Sequence, residues 1–188
     1  ISTPPTCDGL CDGTGIPIVI GGVPNYDFSW STGETTQSAS MLCEGGNTLT
    51  VTDQNSCQFD STFILTIEPI FANVDITNIT CNGTLTGEAT SNPSGGNGGP
   101  FDFDWSTGDT GNSISGQAAG NYTLTVTDAL GCSVDTAFTI TEEPPLVITL
   151  DEIVDVSCGG LDDGSISISV TGGLQPYDFA WTGPGAYT

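Results

Sequence analysis

Apolar and polar positions alternate along this chain in short runs. In Tyr122–Asp128 the hydrophobic residues Tyr122, Leu124 and Val126 fall on every second position, with threonines between them. That is the period of a β-strand with one face buried. No segment carries apolar residues at helical spacing. In the middle of the chain the pattern predicts strands near 71–80, 85–91, 101–105, 112–116, 121–127 and 133–141. Between the last two, Asp128–Gly131 reads as a tight hairpin loop, with Asp128 making an Asx turn and Gly131 taking positive φ. The matching loop Asp53–Ser56 uses Asn55 instead. Short strands at regular intervals, with no helix, predict an all-β sandwich.

The pattern repeats. Trp30, Trp105 and Trp181 stand 75 and 76 residues apart, and each opens a similar phrase, WSTG, WSTG and WTG. An aromatic-Asp-aromatic unit precedes each: Tyr26-Asp27-Phe28, Phe101-Asp102-Phe103 and Tyr177-Asp178-Phe179. LTVTD follows at Leu49–Asp53 and Leu124–Asp128, and then come Cys57 and Cys132. Cys7, Cys81 and Cys158 lie 23, 24 and 23 residues before the three tryptophans. The chain therefore reads as repeat 1 over 1–69 with its first strand clipped, repeat 2 over 70–145, and the N-terminal part of repeat 3 over 146–188. Acidic, proline-bearing junctions at Glu68-Pro69 and Glu142–Pro145 leave almost no linker, so a semi-rigid rod is expected.

Composition narrows the function. The 188 residues include 23 Asp and Glu and no Lys, Arg or His, for a formal charge of -23. Without a cationic side chain there is no electrostatic footprint for nucleic acid or anionic lipid. Without His, the Ser-His-Asp and Cys-His dyads and the usual zinc sites are missing. No apolar run reaches the roughly 20 residues of a membrane-spanning helix, so no membrane insertion is expected. Recurring carboxylates are scattered over repeats rather than gathered into one pair, which argues against an enzyme.

The order Cys…Trp…Cys, with about 50 residues between the cysteines, resembles the immunoglobulin arrangement, in which a disulfide packs on a buried Trp. That likeness implies Cys7–Cys57 and Cys81–Cys132. Cys11 and Cys43 then pair with each other, and Cys158 takes a partner beyond the chain. Cys7–Cys43 with Cys11–Cys57 stays open as an alternative. Seven cysteines in a small-residue background point to an oxidising, extracellular setting. Recurrence of the tryptophans at a fixed distance from Cys favours core packing over an exposed sugar-stacking platform.

The phrases CDGLCDGTG, GGVPNYDFSWSTGETTQS, GNYTLTVTDALGC and CGGLDDGSISISVTGGLQPYDFAWTG resemble the SprB repeat, named after a very large surface adhesin of gliding Bacteroidota. They are similar, more distantly, to PKD-type and Ig-like β-sandwiches. The resemblance covers nearly the whole chain. It implies tandem sandwiches in a long secreted surface protein, exported by the type IX system and serving adhesion, gliding or filament formation. Repeat 2 departs from the pattern, with SNPSGGNGGPFDFDW in place of the GG-x-x-P-Tyr phrase.

No cofactor is expected apart from Ca²⁺, a hard cation that takes carboxylate and carbonyl oxygens. Its candidate ligands are Asp27, Asp53, Asp102, Asp128, Asp162, Asp163 and Asp178. Two phrases at matching places, DST at Asp60 and DTA at Asp135, look like a bacterial O-glycosylation motif and mark Ser61 and Thr136. The expected partners are other repeats of the same chain or filament, with surface glycans or cell surfaces beyond them. The alternative function is a carbohydrate-binding module, for which the Gly-rich stretch Ser94–Gly99 is the place to look. Strand exchange between filament subunits is a further alternative, because repeat 3 stops seven residues after Trp181.

Overall fold

The computed structural model describes residues 1–183, and every strand of it is β. Repeat 1 contains β1 (Ser2–Thr3), β2 (Gly13–Gly15), β3 (Asp27–Trp30), β4 (Ala39–Leu42), β5 (Gly45–Thr52) and β6 (Gln58–Leu65). They form two antiparallel three-stranded sheets, in the orders β1-β2-β4 and β3-β5-β6. Repeat 2 contains β7 (Val74–Thr77), β8 (Gly87–Ser91), β9 (Asp102–Trp105), β10 (Ser113–Gln117), β11 (Gly120–Thr127) and β12 (Ser133–Ile140). The same two orders recur there, β7-β8-β10 and β9-β11-β12. Repeat 3 contributes the hairpin of β13 (Val147–Val154) and β14 (Ser165–Thr171), the counterparts of β1 and β2. Residues 184–188 of repeat 3 lie outside the described residues.

In repeat 1 the core is Trp30, Ala39, Leu42, Leu49 and Leu65, with Phe28, Val51 and Phe63 packed at its margin. Each fully buried Leu contributes roughly 1.5–3 kcal/mol of transfer free energy. The alternation along β5 does the sorting: Asn47 and Leu49 point inward while Thr48 and Thr50 line the other face. Trp30 packs edge-on against Phe63, ring centres 6.4 Å apart, and donates its indole N–H to the Thr36 carbonyl at 2.8 Å. Two glycines in β2 are forced by this packing. A Cβ on Gly15 would stand 3.0 Å from Leu42 and 3.1 Å from the Trp30 ring, and one on Gly13 only 2.8 Å from the Leu42 carbonyl.

Chain packing divides the molecule into two compact units whose border runs through repeat 2. The first holds Ile1–Val74, Ser91–Asn112 and Thr123–Thr136; the second holds Asp75–Thr90, Ser113–Tyr122 and the chain from Ala137 on. In the first, Trp105, Leu124 and Val126 are buried, as are Ala89, Ile114 and Ile140 in the second. Trp105 donates to the Gly111 carbonyl at 2.7 Å, as Trp30 does to Thr36. The Trp-x-x-Gly phrase is the turn that follows: Gly33 and Gly108, both at φ 88°, return their N–H to Trp30 and Trp105. Trp181 differs, being 49% exposed, and β13 is exposed along its whole length.

Candidate functional site

The most developed polar site lies where one repeat meets the next. A glycine pair occurs fourteen residues after the first cysteine of each repeat: Gly21-Gly22, Gly95-Gly96 and Gly172-Gly173. All six have positive φ, a region that glycine enters without steric cost. Gly95 and Gly96 seat the linker leaving repeat 1. The Gly96 N–H donates to the Glu68 carbonyl at 3.1 Å, and a Cβ on Gly95 would collide with the Pro69 carbonyl. Phe71 and Ser94 exchange backbone hydrogen bonds of 2.9 and 3.0 Å. Gly172 and Gly173 seat the next linker in the same way: Gly173 donates to the Pro144 carbonyl at 2.8 Å, and a Cβ on Gly172 would strike Pro145.

An aspartate holds the first two of these seats in shape. Asp128 accepts the N–H groups of Asn97, Leu130 and Cys132 at 2.8, 2.9 and 3.0 Å. Asp53 does the same for Val23, Asn55 and Cys57 at 3.0, 2.9 and 2.9 Å. The Val23 N–H, then that of Cys57, holds the Asp53 carboxyl below the ordinary carboxylate range. For Asp128 burial pulls upward, but the amides of Asn97, Cys132 and Leu130 outweigh it and the net direction is down. The tyrosine of the GG-x-x-P-Tyr phrase buttresses the first glycine: Tyr26 donates to the Gly21 carbonyl and Tyr177 to that of Gly172. Repeat 2 has Phe101 there, without a hydroxyl.

The junction is also covalent. Cys7 is bonded to Cys132, with Cα atoms 5.3 Å apart. Asn97 reinforces the contact by donating its side-chain amide to the Thr6 carbonyl at 2.8 Å. Thr6 is in turn fixed by Asp12, which accepts from both its N–H and its hydroxyl.

This corrects two of the pairs expected from the immunoglobulin likeness, Cys7–Cys57 and Cys81–Cys132. The reason is strand length. Cys11 is bonded to Cys43, which ties the Cys7–Asp12 loop to the start of β5, while Cys57 follows the hairpin at its far end. Eight strand residues separate those ends by roughly 25 Å, and a disulfide requires Cα atoms within about 7 Å. Cys132 is taken by Cys7, so it is not the partner of Cys81. Cys57, Cys81 and Cys158 are free and exposed. A 50-residue spacing reports loop length, not which end of a sandwich a residue occupies.

The calcium candidates are not brought together. Among the described residues no group of three or more Asp, Glu or Cys is placed to hold a metal ion. Asp53 and Asp128 are spent on backbone amides. Asp163 binds Ser157, and that contact lowers its pKa as Thr6 lowers that of Asp12. Asp27 and Asp102 are exposed at the starts of β3 and β9, and Asp162 and Asp178 are exposed in repeat 3. Ser61 and Thr136 sit in β6 and β12 beside Asp60 and Asp135, which accept from Thr50 and Thr125 across the ladder at 2.7 and 2.6 Å. The matching DST and DTA phrases thus occupy matching places in the strand register.

The signal for the junction was present in the sequence as the fixed offset from first cysteine to glycine pair. It read as a loop because nothing in one repeat shows what a neighbouring linker presses on.

The SprB repeat family matches residues 73–110 and 150–186. Those two segments are similar to the SprB repeat. Each match spans the first cysteine, the glycine pair and the tryptophan, so it covers the junction-forming half of the unit. SprB repeats belong to cell-surface adhesins, and that kind of repeat is what the two segments are similar to. No curated protein matches it. Among solved structures, an amphioxus IgVJ-C2 molecule aligns with 72% of this chain and 99% of its own at 12% identity and a TM-score of 0.27. No helix among the described residues is long and apolar enough to cross a membrane.

Proposed function

We propose that this chain is a load-bearing segment of a long SprB-type surface adhesin, in which repeat 1 is stapled to repeat 2 so that pulling forces bypass the repeat 1 sandwich. The segment serves attachment or gliding by holding a distal adhesive region away from the cell, with other repeats as its immediate partners and surface glycans or cell surfaces as the ultimate ones. The observation that carries this reading is the Cys7–Cys132 bond. Tension applied at the chain ends runs through residues 1–7, the sulfurs, and then residue 132 onward. Residues 8–131, which include all of the repeat 1 core, lie off the load path. An oxidising exterior preserves such bonds, and the uniform negative charge keeps neighbouring strands soluble and mutually repelling.

A carbohydrate-binding module is less well supported. The Gly-rich stretch Ser94–Gly99 is occupied by the linker of repeat 1 rather than open as a groove.

Single-molecule stretching of the chain from its two ends tests the proposal. At roughly 3.6 Å per residue, the fully stretched oxidised chain should reach a contour length of about 23 nm and the reduced chain about 68 nm. Equal extensions in the two states would overturn the load-path reading.

A further inference from the structure

Repeat 1 contains a second copy of the seat by which repeat 2 holds its neighbour. Gly21 and Gly22 have φ of 88° and 72°, against 79° and 59° at Gly95 and Gly96. The Asp53 carboxylate makes the same backbone contacts as Asp128. Cys57 occupies the position of Cys132, four residues after that aspartate, and its thiol is exposed. Tyr26 already fixes the Gly21 carbonyl, so the conformation is formed without a neighbour.

What differs is the surrounding space. Gly95 and Gly172 press on a proline carbonyl, whereas nothing lies within 4 Å of a Cβ built on Gly21. Ile20 corresponds to Ser94, which bridges Phe71; here it is 92% exposed. A groove of about 600 Å³ opens beside it, lined by Ile18, Ile20, Tyr26, Asp53, Cys57 and Phe59.

We infer that this face of repeat 1 binds another SprB-type repeat in tandem. That repeat's Pro69-like linker would lie on Gly21-Gly22, and its Cys7-like cysteine would bond Cys57. The inference rests on the stapled-array reading and extends it from one junction to a rule: the first cysteine of each repeat bonds the hairpin cysteine of the next. By the same rule Cys81 and Cys158 take hairpin cysteines of later repeats. Each bond joins two thiols and releases two protons and two electrons. A small-molecule disulfide such as oxidised glutathione accepts them and leaves as two thiols.

The test extends the native chain at its N-terminus with a copy of its own residues 1–74. Ile1 aligns with Asp75, so this addition preserves the repeat register. The extended chain has eleven cysteines. It is refolded with oxidised glutathione, denatured, and its free thiols are alkylated and counted by mass. The inference predicts three alkylated cysteines, the same number as in the parent chain, with original Cys57 bonded to the added Cys7. Five alkylated cysteines, original Cys57 among them, would overturn it. Gly21→Asn in the original copy tolerates positive φ but projects into the seat, and should restore five. The Cys7–Cys132 bond read in the same experiment separates the two claims. Its loss would sink the stapled array itself, whereas its persistence with Cys57 free would sink only the extension.

Discussion

Cys7 and Cys132 are 125 residues apart in sequence and directly bonded, joining the first loop of one sandwich to the last hairpin of the next. The bond closes a far longer loop than Cys11–Cys43, whose partners are 32 residues apart. In the chain-entropy treatment of the unfolded state the long loop contributes about 5 kcal/mol and the short one about 3.7 kcal/mol. Cys132→Ser should therefore destabilise the chain more than Cys43→Ser in urea denaturation. It should also raise the number of thiols reacting in the folded state, by exposing Cys7.

Glycine pairs with the same backbone should respond differently to the same substitution. Gly21→Ala meets open space and costs only the left-handed penalty of about 1–2 kcal/mol. Gly95→Ala carries that penalty and also strikes the Pro69 carbonyl, so it should cost at least twice as much. Urea unfolding of the two variants side by side gives the comparison. Equal losses would mean that Gly95 does not bear on the linker.

Acid should act through the seats. The folded pKa values of Asp53 and Asp128 are lowered by the amides they accept. Their contribution is thus fully present above the unfolded value of about 3.9 and is lost as pH falls through the lower folded value. Asp128→Asn removes the charged acceptor, so the gap in stability between it and the native chain should be wide at pH 6 and close below pH 4. With no His present, stability should hold level between about pH 5.5 and 7. Chemical denaturation across that range checks both statements.

Salt should stabilise. The chain has 23 acidic side chains and no Lys or Arg, so added ions screen repulsion and have no side-chain ion pair to weaken. Raising NaCl from 0.05 to 0.5 M should increase the melting temperature. A decrease would point to attractive charge contacts that the fold does not contain.

The strands were legible because their signal is local. The alternation in Tyr122–Asp128 placed Leu124 and Val126 in the core, and the predicted strand 133–141 is observed as Ser133–Ile140. The tryptophans were legible as core residues for Trp30 and Trp105, because their distance to the LTVTD strand is set by one hairpin-sized element. The disulfides were not, apart from the short loop of Cys11 and Cys43, because pairing depends on which end of a sandwich a residue occupies. Asn47 was equally opaque. It stands where repeat 2 has Tyr122, and each donates to the matching carbonyl, Cys43 or Ala118. One short amide and one long phenol thus meet a single backbone need, which no residue-by-residue comparison reveals.

The measurement that bears most directly on the stapled array is disulfide mapping of the unreduced protein. Because the chain has no Lys or Arg for trypsin, it would be cut after acidic and aromatic residues with free thiols blocked at the outset. The account predicts a linked pair of peptides carrying Cys7 and Cys132, a second pair carrying Cys11 and Cys43, and an alkylated Cys57. Recovery of Cys7 joined to Cys57 would contradict it, and would return each disulfide to the inside of its own repeat.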